Sequence, residues 1–333
     1  MQNWPPVSLP TAPPRASPAT LPPRASYAKY CLYGAAPLAF LTFLSSSQAA
    51  SGSGSRAALI VAGFVSPIIL VVVGLRVATD HQPAAVPRTS GVPGRAGRWD
   101  WSDLVAFIPA AAAAVLLTGS VIVGITQAVD GGLQSTARTA VESFAGQAAS
   151  YAAAAASLAV LLLLRRGLRL ADLGWRMPRP LGRLGWLPWL AIGVVGAVVA
   201  LLAAELLGSL ATQILPNSPN TQCTAVRDEY GGYVAVAIPL VCLIAPLAEE
   251  SIFRGFIYGW LRRRLPVLPA VIVSAAVFSA AHLVLVLALP LFGVGVILAV
   301  LYEYSDSLLP GAIVHGLFNL VGIIAILGTT TSC

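Results

Sequence analysis

Long apolar stretches divide this chain almost from end to end, and they limit what it can become. The stretch 186–212 holds 27 consecutive positions with one ionisable side chain, Glu205. About 20 such residues span a bilayer's hydrocarbon core as a helix. Nine stretches qualify, at about 30–47, 57–76, 103–129, 144–164, 186–212, 233–261, 267–289, 291–304 and 310–328. The eighth is the shortest and is expected to be tilted or re-entrant. In lipid every backbone N–H and C=O must be paired within the protein, which leaves helices or a closed barrel. Spans of this length are too long for barrel strands. The reading is an all-α polytopic membrane protein with about 8–9 transmembrane helices. Charged residues make up 10% of the chain, against about a quarter in soluble domains.

Basic residues set the orientation. With the N-terminus in the cytoplasm, sixteen of the twenty Lys and Arg residues flank spans on the cytoplasmic side. Arg56, Arg138 and Arg227 fall outside, and Arg254 lies within a span. The net charge of +7 therefore reflects topology and gives no sign of a nucleic-acid partner. Residues 1–28 hold eight prolines and read as a disordered cytoplasmic tail. Residues 29–185 read as N-terminal transmembrane helices ending in a basic loop, 165–185. That loop is either an amphipathic surface segment or an ordinary cytoplasmic loop. Trp175, Trp186 and Trp189 beside it read as interfacial residues. Residues 186–333 read as a transmembrane catalytic core. Cys31, Cys223, Cys242 and Cys333 show no CxxC spacing. This topology puts Cys223 and Cys333 on the outer side, where an oxidising compartment would permit a disulfide between them, and the sequence leaves open whether it forms.

Ionisable groups within the bilayer are expensive and mark functional sites. Here they cluster in the last third of the chain. In PLAEESIFRGF (246–256), Glu250 and Arg254 stand i, i+4 and share a helix face. Glu249 points about 100° away, without that counter-charge, and is a candidate general base. Pro239 and Pro246 lie upstream, where each removes a backbone donor and kinks the helix. In SAAVFSAAHL (274–283), Phe278 and His282 are i, i+4 among small residues. In LLPGAIVHGLFNL (308–320), His315 and Asn319 are i, i+4 after a Pro310-Gly311 helix start. That pair is able to donate two hydrogen bonds to one point, as an oxyanion site requires. Glu205 reads as cavity-facing or bonded to Ser209, and Glu303 as interfacial. Taken singly, each histidine or asparagine is as readily explained as a hydrogen bonder between helices.

Together these residues resemble the CPBP family, which includes the CAAX prenyl endopeptidases and the bacterial Abi bacteriocin-processing and self-immunity proteins. Its marks are EExxxR, FxxxH and HxxxN on successive core helices. The resemblance covers roughly residues 233–325. It implies a glutamate intramembrane endopeptidase in a prokaryotic cell membrane, acting on a membrane-anchored protein or peptide. Carried over, Glu249 and His282 activate a water, and His315 with Asn319 stabilises the oxyanion. Glu250, Arg254 and Phe278 support the site. No cofactor is expected; a zinc ion, if used, would take Glu249, His282 and His315 as ligands. The alternatives are a non-proteolytic scaffold or immunity protein of the same fold, and a transporter with a Glu/His proton path. On equal span starts, His282 falls about 24 Å and His315 about 8 Å along their helices. The last helix is therefore expected to start deeper than Pro310 suggests.

Overall fold

The computed structural model describes Trp99, parts of a helical stretch between 103 and 125, and residues 135–328 apart from Arg165 and Asn217. The Pro-rich tail, the first two apolar stretches, Cys31 and Cys333 lie outside the described residues. Among those described, regular structure is helical throughout, with no strand. Helix α1 runs Ser135–Ala159 and continues as a π-helical turn, Val160–Leu164. Helix α2 is Pro188–Ile214, started by a proline in its first turn. Helix α3, Thr221–Ala237, and helix α4, Leu240–Arg262, form a pair bent by 74°. Helix α5 is Val267–Ala281, α6 is Ala288–Ser305 and α7 is Leu309–Gly328. Among the described residues, four helices are long and apolar enough to cross a membrane, or five with the bent pair as one span.

Two stretches differ from their sequence reading. The sixth, read as one helix over 233–261, is broken at Pro239, where α3 ends and α4 begins at an angle. The seventh, read as 267–289, stops at Ala281. His282 caps α5, Leu283 adopts φ +55° and a 3-10 turn at Leu285–Leu287 leads into α6. The eighth stretch thereby gains residues and reaches membrane length, Leu285–Ser305, so the shorter helix is α5. Between Val267 and Leu301 the only polar side chains are Ser274, Ser279 and His282, so the mean hydropathy stays high across this break.

Packing explains the small residues. Helix α6 lies between α5 and α2, and α7 packs on α2 and on the first turns of α4. At Gly295 a Cβ would stand 3.0 Å from Ala275 Cα, so the close approach of α5 and α6 requires a glycine. Small residues permit such approaches where lipid removes any hydrophobic drive between helices. Helix α2 turns Val194, Val198, Leu202 and Leu206 outward. Glu205 also faces outward, and the Ser209 hydroxyl donates to Leu206 O, so the cavity and Ser209 readings do not hold.

The basic loop is fastened inward. Trp175 Nε1 donates to Ser251 Oγ and Trp189 Nε1 to Arg179 O, so these two indoles serve as internal clamps and Trp186 stays exposed. Arg176 pairs with Asp306, Leu308 N–H donates to Gly174 O and Arg179 N–H to Ser305 O. The start of α7 is thus covered by the loop, and Ser305, Ser307 and Leu308 are fully buried. Glu303 forms an ion pair with Arg262 and accepts from the Tyr258 hydroxyl, a more specific role than an interfacial one. Cys223 is disulfide-bonded, and Cys242 is a free cysteine.

Candidate active site

Helix α4 carries the acidic pair through a stretch that winds wider than an α-helix. Leu240–Ile244 and Glu250–Tyr258 are π-helical, flanking one α-turn at Ala245–Glu249. Such widened turns leave carbonyls and side chains off the regular ladder and recur at functional sites. Ala245 N–H reaches back five residues to Leu240 O. The next amide in that pattern belongs to Pro246, which has no hydrogen to give to Val241 O. That carbonyl is taken instead by Asn319 Nδ2 on α7, at 2.7 Å. Beside it, Gly316 brings α7 so close that a Cβ would stand 2.5 Å from Cys242 O.

The side chains that the sequence singled out converge here. Glu250 and Arg254 are both fully buried, and Arg254 Nη1 lies 3.0 Å from Glu250 Oε1. Arg254 Nη2 reaches toward Gly295 O at 3.5 Å, and its guanidinium stands 4.2 Å from the centroid of the Phe278 ring. His315 Nδ1 lies 3.1 Å from the same Glu250 oxygen. Gly311, where a Cβ would come within 3.0 Å of Glu250 Oε2, lets the carboxylate lie against α7. A buried charge of this kind is tolerable only when paired and hydrogen-bonded.

Glu249 stands apart from that network. Its Oε1 accepts from the Tyr151 hydroxyl of α1 at 2.8 Å. Its Oε2 is buried with no hydrogen-bond partner among the described residues. That oxygen lies 4.0 Å from His282 Nε2 and 3.6 Å from His315 Nε2. His282 Nδ1 is 2.9 Å from Phe278 O. A carbonyl only accepts, so Nδ1 carries the hydrogen and Nε2 is the ring nitrogen turned toward Glu249. Phe278 touches both imidazoles edge-on, at centroid distances of 4.8 Å to His282 and 5.7 Å to His315. One aromatic ring thus steadies two histidines and the arginine.

The difference in depth expected from the helix starts does not keep the motif residues apart: His282 Nε2 and His315 Nε2 lie 4.0 and 3.6 Å from one oxygen of Glu249. His282 is the cap of a 15-residue helix, and α7 begins beneath the basic loop. Two features were not read from the sequence. Tyr151 comes from α1, outside the motif-bearing helices, and its only signal was a lone aromatic beside the Ala152–Ala156 run. Asn319 was read both as an oxyanion donor and as a hydrogen bonder between helices; one of its amide hydrogens is given to Val241 O on α4, while the choice of that carbonyl carried no sequence signal. For a metal, Glu249, His282 and His315 are the nearest donors, but no cluster of three or more His, Cys, Asp or Glu side chains among the described residues has the arrangement to hold an ion.

Residues 231–321, a little over a quarter of the chain, match the family model described as type II CAAX prenyl endopeptidase Rce1-like. No curated protein and no solved structure matches the chain. The match begins at the end of α3 and runs into α7, so all three motifs fall inside it and Tyr151 falls outside. The match at residues 231–321 is consistent with the CPBP family and suggests an intramembrane endopeptidase.

Proposed function

We propose that this chain is a multi-pass membrane endopeptidase that hydrolyses a peptide bond in a membrane-anchored protein or peptide, with Glu249 as general base. The observation that carries this is the bare, buried Glu249 Oε2 facing His282 Nε2 across 4.0 Å. Two facing lone pairs at that separation accept both hydrogens of one bridging water. The water's own lone pair is then free to attack a carbonyl carbon. Glu249 takes the proton as the C–O bond forms. The oxyanion accepts from His315 Nε2–H and from the second amide hydrogen of Asn319. Glu249 then returns the proton to the leaving nitrogen as the C–N bond breaks, releasing a carboxylate and an amine.

In this reading His315 donates from both ring nitrogens, Nδ1 to Glu250 and Nε2 to the oxyanion. Glu250, Arg254 and Phe278 act by holding His315 and His282 in place. The mechanism calls for no resident metal, and the N-terminus lies in the cytoplasm in this reading.

The test is cleavage, by purified protein in lipid nanodiscs, of a farnesylated peptide with a C-terminal CAAX sequence and of its unprenylated counterpart. Wild-type protein is expected to cleave with chelator present, and Glu249→Gln to lose activity by about 10²–10⁴-fold, the usual worth of a general base. Equal cleavage by Glu249→Gln would refute the assignment. Loss of cleavage on chelation, restored by zinc, would instead make Glu249, His282 and His315 metal ligands. A wild type that cleaves neither peptide, with a Glu249→Gln cellular phenotype unchanged, would favour a scaffold or immunity protein.

A further inference from the structure

Helix α1 lies outside the matched segment and belongs to a part of the chain with no assigned role, yet it reaches the proposed base. The Tyr151 hydroxyl donates to Glu249 Oε1 at 2.8 Å. A phenol has one hydrogen to give, and here it is committed. The terminal torsion of a glutamate is broad and roughly two-fold, so an unrestrained carboxylate presents either oxygen. With Oε1 held by the phenol, the other oxygen is the one turned toward His282 and His315. Helix α1 is itself pinned one turn earlier, where Gln147 Nε2 donates to Glu229 Oε2 of α3 at 2.7 Å. Gln147 and Tyr151 are i, i+4 and lie on one face. The donor therefore approaches Glu249 from a helix anchored independently of α4.

We propose that Tyr151 is a positioning residue of this site: its hydroxyl fixes the rotation of the Glu249 carboxylate and selects Oε2 as the proton-accepting oxygen. This rests on Glu249 being the base. It places the functional boundary of the site beyond the segment 231–321, with α1 as a structural member of the peptidase.

The experiment compares wild type, Tyr151→Phe, Glu249→Ala and the double variant in nanodiscs. The control is Tyr230→Phe, which removes a buried hydroxyl with no hydrogen-bond partner among the described residues. With the farnesylated peptide, Tyr151→Phe is expected to lower kcat by about 10- to 100-fold with KM unchanged, the scale of losing alignment of a reacting group. Tyr230→Phe is expected to leave both constants at wild-type values. Thermal unfolding is the second readout and needs no substrate. Tyr151→Phe should lower Tm in the wild-type background and leave it unchanged in the Glu249→Ala background, showing that the two side chains act on each other. A Tyr151→Phe enzyme with wild-type kcat, or with altered KM alone, overturns the proposal. Equal Tm losses in both backgrounds, or failure of Tyr151→Phe to fold, also overturn it, because the hydroxyl is then structural only. If the wild type cleaves nothing, the reading of Glu249 as a base falls, while the unfolding cycle still reports whether Tyr151 and Glu249 are coupled.

Discussion

Replacing Gly316 by alanine tests whether the contact between α7 and the π-helical turn of α4 holds the site together. A Cβ at this position would stand 2.5 Å from Cys242 O. Carbon–oxygen contacts settle at about 3.3 Å or beyond, so the helices must part by about 0.8 Å. The obstacle is backbone on both sides, and no side-chain rotation relieves it. Overpacking of this kind costs about 1–3 kcal/mol. The same displacement would stretch the Asn319 Nδ2 to Val241 O distance, now 2.7 Å, toward about 3.5 Å, where the hydrogen bond is lost. His315 precedes Gly316 and moves with it. The assay is thermal unfolding of purified protein in detergent, beside cleavage of the farnesylated peptide. Tm should fall by several degrees, at about 2–4 °C per kcal/mol for a chain of this order of size. Activity should fall further than stability explains. Gly322→Ala on the same helix is the control: among the described residues, nothing beyond its own helix backbone and chain neighbours comes within 4 Å of its Cβ position, and alanine there should match or raise Tm, given its better helix propensity. A Gly316→Ala protein with the Tm and activity of the Gly322→Ala control would refute the reasoning.

Three further predictions address separate parts of the structure. Arg254→Met leaves the fully buried Glu250 with His315 as its remaining partner and should cost about 3 kcal/mol, the low end for breaking a buried pair, whereas Glu250→Leu with Arg254→Met should unfold nearer wild type and remain inactive; chemical denaturation and cleavage measure both. Asn319→Ala leaves Val241 O without its donor and should destabilise by about 1–3 kcal/mol, so a variant inactive at full stability would mean that Asn319 is a donor to substrate alone. Leu283→Gly relieves a left-handed φ of +55° at an exposed position and should raise stability by about 1 kcal/mol, with an unchanged Tm counting against strain there.

The helical, membrane-embedded character of this chain is legible residue by residue. Apolar runs such as 186–212 allow no other solution in lipid. The pairing of Glu250 with Arg254 follows from helical spacing alone, and the structure has it at 3.0 Å. The same spacing separates Glu249 from that pair, and the structure gives it a different neighbour on each oxygen. These features are local: they depend on the period of a helix and on the cost of a bare charge in an apolar medium.

Other features depend on contacts between elements distant in sequence. The break after Ala281 lies in a strongly apolar stretch and is made by the left-handed Leu283 and the 3-10 turn at Leu285–Leu287. Tyr151 and Glu249 are 98 residues apart, and no pattern on either helix announces their contact. Asn319 is fastened to Val241 because Pro246 has no hydrogen for that carbonyl, a vacancy that appears only once α4 winds as a π-helix. Spacing along one helix places side chains on a shared face, but only the packing of helices decides which polar atoms meet across it, because each buried donor and acceptor must find its partner on whichever neighbour lies within reach.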